Sequence, residues 1–192
     1  MKSNLILFIC AFFFSCSIKG NFKGLYGYYN KSYKINPQLF VKNIDVEDFC
    51  QMRKTEDSFK IYISNGKGLK KCLPENEYSL LYVWGPNCKS DICIPLNLIQ
   101  EECLDNKLDF FVVAEYYDVK AMQIDYIINR PIIGIDVEFY RTNLTKKYLN
   151  KFLKDVVGNE QHEFDGNRFL LFKSKKFIKS FNELDDLLNF KS

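Results

Sequence analysis

With 192 residues, 47% of them hydrophobic, the chain can bury one substantial core but is short for several domains. A formal net charge of +3 is too weak for the footprint of a nucleic-acid binder, and a single histidine, His162, excludes a histidine-rich metal site. No glycine-rich phosphate loop follows an apolar run, and no cofactor is implied.

The chain opens with a short basic stretch, Met1–Asn4, and an unbroken apolar run, Leu5–Phe14. Spanning a bilayer takes about 20 apolar residues, so this run reads as an export signal. It ends at Phe13-Phe14-Ser15-Cys16, which resembles a loose bacterial lipobox. The expectation is a signal peptide over residues 1–15, lipidation at Cys16, and a cell-envelope location with the membrane as partner through that lipid. An ordinary cleaved signal, in which Cys16 has no role, is the alternative. Residues 16–57 read as a lipidated N-terminus and tether. Between residues 17 and 44 stand Lys19, Lys23, Lys31, Lys34 and Lys42 with Gly20, Gly24 and Gly27, and no acid precedes Asp45. The tyrosines of this stretch (Tyr26, Tyr28, Tyr29, Tyr33) suit either a partner or the chain's own domain.

From residue 58 the pattern is regular to residue 192. A strand is expected over Ser58–Ser64, where Phe59, Ile61 and Ile63 alternate, and a short helix over Lys67–Leu73, closed by Pro74. Tyr78–Trp84 is an apolar run suited to a strand buried on both faces, and Gly85-Pro86-Asn87 is a turn. Residues 89–104 have a helical apolar stripe (Ile92, Leu96, Ile99, Cys103). Leu108–Glu115 is a second buried strand, Val119–Ile128 a helix, and Ile132–Tyr140 a further strand. Asn143–Val157 is an amphipathic helix with Asn143 as N-cap and Gly158 as terminator. Asn143-Leu144-Thr145 also fits an N-glycosylation pattern. Arg168–Lys173 and Lys176–Ser180 form a hairpin across Ser174-Lys175, and Asn182–Phe190 closes the chain as a helix. Strands alternating with helices imply an α/β fold with a parallel sheet covered on both faces.

Three stretches carry a resemblance to the thioredoxin-like superfamily. Leu80–Cys88 is an apolar strand ending in an aromatic, then a turn, then a cysteine opening a helix, with Pro95 early in that helix. Leu108–Glu115 is the next parallel strand. Phe169–Lys173 with Lys176-Phe177-Ile178 and the last helix resembles the family's closing hairpin. The resemblance implies a central mixed sheet with helices on both faces, and Ile132–Val157 as an element inserted before the hairpin. The chain departs from the family in two ways. The Cys-x-x-Cys motif is replaced by Cys88-x4-Cys93, with Asp91 where the second cysteine belongs. The place of the cis-proline falls at Asn167, for which a trans bond is expected.

Cys88 and Cys93 are the candidate catalytic residues, Cys88 as attacking thiolate and Cys93 as resolving partner, with protein thiols or disulfides as substrates. At a helix N-terminus Cys88 would gain thiolate stabilisation from the helix dipole. Cysteines five apart do not bond across a regular helix, so a Cys88–Cys93 disulfide requires an open first turn. The same spacing, Pro86-x-Cys88-x4-Cys93, occurs in some two-cysteine peroxiredoxins. Gly85 replaces their threonine, however, and Arg168 stands about two residues out of register for their arginine. A domain using this fold only as a binding or scaffold module is the alternative. Cys50 and Cys72 could join tether to domain, Cys103 suits the core, and Asp45, Glu47 and Asp48 read as a solvated acidic patch.

Overall fold

The structure, a computed structural model, describes residues 24–42, 46–51, 59–88, 93–124, 128–159 and 165–191. Cys16 and the export segment lie outside these residues, as do Asp45, Asp91 and His162. Among the described residues, no helix is long and apolar enough to cross a membrane.

In chain order the elements are α1 (Tyr29–Ile35), a 3-10 turn (Pro37–Leu39), β1 (Phe40–Val41), α2 (Val46–Gln51), β2 (Ile61–Ser64) and α3 (Gly66–Cys72). Then come β3 (Tyr78–Trp84), α4 (Leu96–Asp105), β4 (Leu108–Ala114), α5 (Val119–Ile124) and β5 (Ile132–Ile135). The last are α6 (Thr145–Val157), β6 (Phe169–Lys173), β7 (Lys176–Phe181) and α7 (Leu184–Lys191). The seven described strands form one mixed sheet in the order β1-β2-β5-β4-β3-β6-β7. β3 runs parallel to β4 with Tyr82 opposite Val112, and antiparallel to β6 with Tyr82 opposite Phe169. The protein is therefore an α/β domain with a seven-stranded mixed sheet.

Ser79–Trp84 of β3 and Phe110–Ala114 of β4 are buried without interruption, so both faces of the central strands are covered. α3 and α6 pack closely: a Cβ on Gly66 would meet the Phe152 carbonyl oxygen and lie 2.7 Å from Asp155 Cβ. The Tyr140 hydroxyl clamps this junction, accepting from Gly66 N at 2.8 Å and donating to Asp155 Oδ2 at 2.8 Å. At the start of β4, Asp109 receives Nε and Nη2 of Arg130, whose Nη1 donates to the Cys50 carbonyl at 2.9 Å. A Cys50–Cys72 disulfide ties α2 to α3.

Four expectations need correction. The described part of the expected tether is folded. Tyr29 is 1% exposed and packs its ring on Phe40 and Tyr117, and Phe40 pairs with Ile61 at the sheet margin. Gly27 N–H donates to Asn143 O at 2.9 Å, and Thr145 N–H to Leu25 O at 3.0 Å. The density of aromatic rings supplies apolar area that a lysine- and glycine-rich tether lacks. Next, the strand expected over 132–140 ends at Ile135, where Asp136 Oδ1 accepts from the amides of Glu138 and Phe139 and turns the chain. Leu144, not Asn143, is the N-cap of α6, because the Asn143 carbonyl is drawn to Gly27. Finally, of the helix expected over 89–104, residues 93–95 are not helical and α4 starts at Leu96 with Pro95 as its N-cap, while 89–92 lie outside the described residues. A proline disfavours helical backbone in the residue before it, which keeps Ile94 out of the helix. Gly158 ends α6 at φ 76°, and Ser174 and Lys175 turn the hairpin at φ 49° and 62°.

Candidate functional site

β3 delivers the chain to Gly85, and a tight turn follows in which Cys88 N–H donates to Gly85 O at 3.0 Å. Cys88 and Cys93 are joined as a disulfide with their Cα atoms 5.8 Å apart. Cys88 is exposed and Cys93 is partly covered. The two residues expected to act together are thus brought together. α4 begins beyond Cys93, at Leu96, and residues 89–92, which follow Cys88, lie outside the described residues.

The loop is held from the end of β4. Asn87 N–H donates to the Tyr116 hydroxyl at 3.0 Å, and Asn87 Nδ2 donates to Asp118 Oδ2. Asp118 Oδ1 accepts from Ala121 N–H in the first turn of α5, so one carboxylate fixes both the loop and the helix. Beneath the turn lies an ion pair, Arg168 Nη2 to Glu115 Oε2 at 3.0 Å. Arg168 Nη1 also donates to Val83 O at 2.9 Å. A Cβ built on Gly85 would lie 3.5 Å from Glu115 Oε2, 3.6 Å from Arg168 Nη1 and 4.0 Å from Cys88 Cβ, so this pair and the cysteine surround Gly85. Below it, Tyr82 stacks on Phe169 with ring centroids 4.7 Å apart, and burial raises the Tyr82 phenol above its ordinary range. The Tyr148 hydroxyl donates to Glu115 O, fixing the backbone that carries the acid.

Asn167, where the expected resemblance would put a cis-proline, is held by Asp165 and Ser180, and every described peptide bond is trans. Its neighbour Arg168 reaches the cysteine turn instead. Glu115, Tyr116 and Asp118 were not singled out from the sequence. The signal for them is topological: residues just past the carboxyl ends of adjacent parallel strands gather at one end of the sheet. The thiol of Cys103 is buried in α4 and outside both disulfides. Among the described residues no group of acidic, histidine and cysteine side chains could hold a metal ion. Comparisons with protein-family models, curated proteins and solved structures find no match for this chain.

Proposed function

We propose that the protein is an exported, lipid-anchored, thioredoxin-like domain that exchanges disulfides with protein thiols through Cys88 and Cys93. The observation that carries this reading is the position of the disulfide. It lies past the carboxyl end of β3, an interior strand of the sheet, with Cys88 exposed and Cys93 partly covered. Parallel β4 on one side, the antiparallel β6–β7 hairpin on the other and the closing helix α7 support the thioredoxin-like reading. On that reading β5, wedged between β4 and β2, belongs to the inserted element. The basic start, the apolar run and Cys16 support the anchor.

In the exchange, a partner thiolate attacks Cys88 Sγ. The Cys88–Cys93 bond breaks, Cys93 leaves as a thiolate that takes a proton from water, and a mixed disulfide forms. A second thiolate of the partner then displaces Cys88. The partner dithiol becomes a disulfide, and the pair takes up its two electrons and two protons. Arg168 beside the turn offsets the negative charge that appears on sulfur.

The test is alkylation of the oxidised protein after exposure to glutathione or a dithiol peptide, with disulfides mapped by mass spectrometry. Reduction of Cys88–Cys93 ahead of Cys50–Cys72 is expected, as is a Cys93→Ser variant whose Cys88 thiolate, offered oxidised glutathione or a peptide disulfide, displaces one thiol and keeps the mixed disulfide. A second reading, a binding module without thiol chemistry, is favoured by the start of α4 beyond Cys93. It prevails if the pair resists both reductants.

A further inference from the structure

A groove of about 440 Å³ runs beside the disulfide loop. One wall is α1 with its flanks, including Tyr28, Lys31 and Ile35; the other runs from Tyr116 through Asp118 to Lys120. Tyr116 and Asp118 are the same side chains that hold Asn87, the residue before Cys88. The groove and the exposed cysteine therefore share a boundary.

Its chemistry is mixed in a particular way. Ile35 is 65% exposed, an unusual position for an isoleucine, and it stands beside the rings of Tyr28 and Tyr116. Lys31 and Lys120, one on each wall, are exposed. The acid of the lining, Asp118, already has one oxygen taken by Asn87 and the other by Ala121 N–H. Asp118 keeps its charge but turns both oxygens to these neutral donors, so the groove offers an occupant apolar surface flanked by two exposed cations, with a net positive balance of one.

Resting on the thiol-exchange reading, we infer that this groove seats an acidic segment of the partner polypeptide next to its reactive cysteine. An apolar side chain of that segment lies against Ile35, and its carboxylates face Lys31 and Lys120. A volume of this size takes a few side chains. A small anion would leave the apolar surface unused, and a basic segment would meet both lysines. Exposed ion pairs are individually weak and screened by salt, so the contribution is to selection and encounter rate.

The experiment uses the oxidised mature protein and two cysteine peptides differing only in their flanks, Asp/Glu-Leu or Lys-Leu, with glutathione as a small thiol. The acidic peptide is expected to react about tenfold faster than the basic one, and the advantage is expected to fade near 0.5 M salt. Lys31→Glu with Lys120→Glu should lower the acidic peptide's rate about tenfold and leave the glutathione rate within about twofold. Equal rates for the two peptides, or a charge-reversed variant without effect, overturn the assignment. Should the substitutions change only binding to phosphatidylglycerol vesicles, the groove faces a membrane and the assignment is also overturned. Serine versions of both peptides, followed by fluorescence anisotropy, separate the two readings. Charge-selective binding without any exchange keeps the groove and removes the redox chemistry; exchange with glutathione without selectivity does the reverse.

Discussion

Arg168 serves two ends at once. One Nη donates to the Val83 carbonyl in β3, and the other pairs with Glu115 beneath the cysteine turn. Replacing it by glutamine removes a cation from the neighbourhood of Cys88 and leaves Glu115, whose side chain is 16% exposed, without its counter-charge. Arg168→Gln should slow alkylation of Cys88 by iodoacetamide in the reduced protein about threefold at neutral pH. Adding Glu115→Gln should recover part of that loss, because the remaining negative charge goes with it. Unchanged alkylation in both variants would take Arg168 out of the site's electrostatics. Neither residue announced its position in sequence: Glu115 was the last residue of a strand, and Arg168 was in the wrong register for the role considered. What placed them was strand order, which a single sequence does not contain.

Among the described elements, α3 and α6 approach closely at Gly66. Gly66 sits where any side chain meets the Phe152 backbone, and its amide is committed to the Tyr140 hydroxyl. Gly66→Ala must push the two helices apart, at a cost of about 2 kcal/mol read from a urea midpoint. A value near zero would mean that α3 shifts freely. The β6–β7 turn offers the opposite experiment. Ser174 and Lys175 both hold positive φ, a geometry suited to Asn-Gly, so Ser174→Asn with Lys175→Gly should stabilise by about 1 kcal/mol in thermal melts. Periodicity revealed most of these elements because long buried strands and the α6 stripe are strong signals. Tyr78–Trp84 and the turn at 174–175 emerge as expected. The N-terminal stretch does not, because lysines and glycines masked a set of tyrosines and a two-residue strand whose partners lie far along the chain. The α4 boundary was lost for a different reason: apolar spacing continued across Ile92 and Leu96, although Pro95 interrupts the backbone between them.

At the scale of the whole molecule, tyrosine burial sets an alkaline limit. Burial raises the phenols of Tyr29, Tyr82, Tyr117, Tyr140 and Tyr148 above the ordinary value of 10. The unfolded chain therefore releases these protons first. The stability they represent is complete below about pH 10 and is lost as pH climbs toward their folded values. The share of the 295 nm absorbance that belongs to these five of the chain's 12 tyrosines should change above pH 10 in one cooperative step, together with far-ultraviolet dichroism. Ionisation of these tyrosines near pH 10 with dichroism unaltered would contradict the burial. The sheet's two margins differ in a way that bears on how the molecule fails. β7 carries exposed Lys176 and Lys179, charges that discourage another strand from docking. The opposite margin has only Phe40 and Val41 laid over Ile61 and Tyr62. A protease that clipped the chain near residue 42 would bare an Ile-Tyr-Ile-Ser ribbon with unpaired amides. Such a nick would make the protein a template for end-to-end polymerisation, so the age of a preparation should show in its light scattering before it shows in its thiol chemistry.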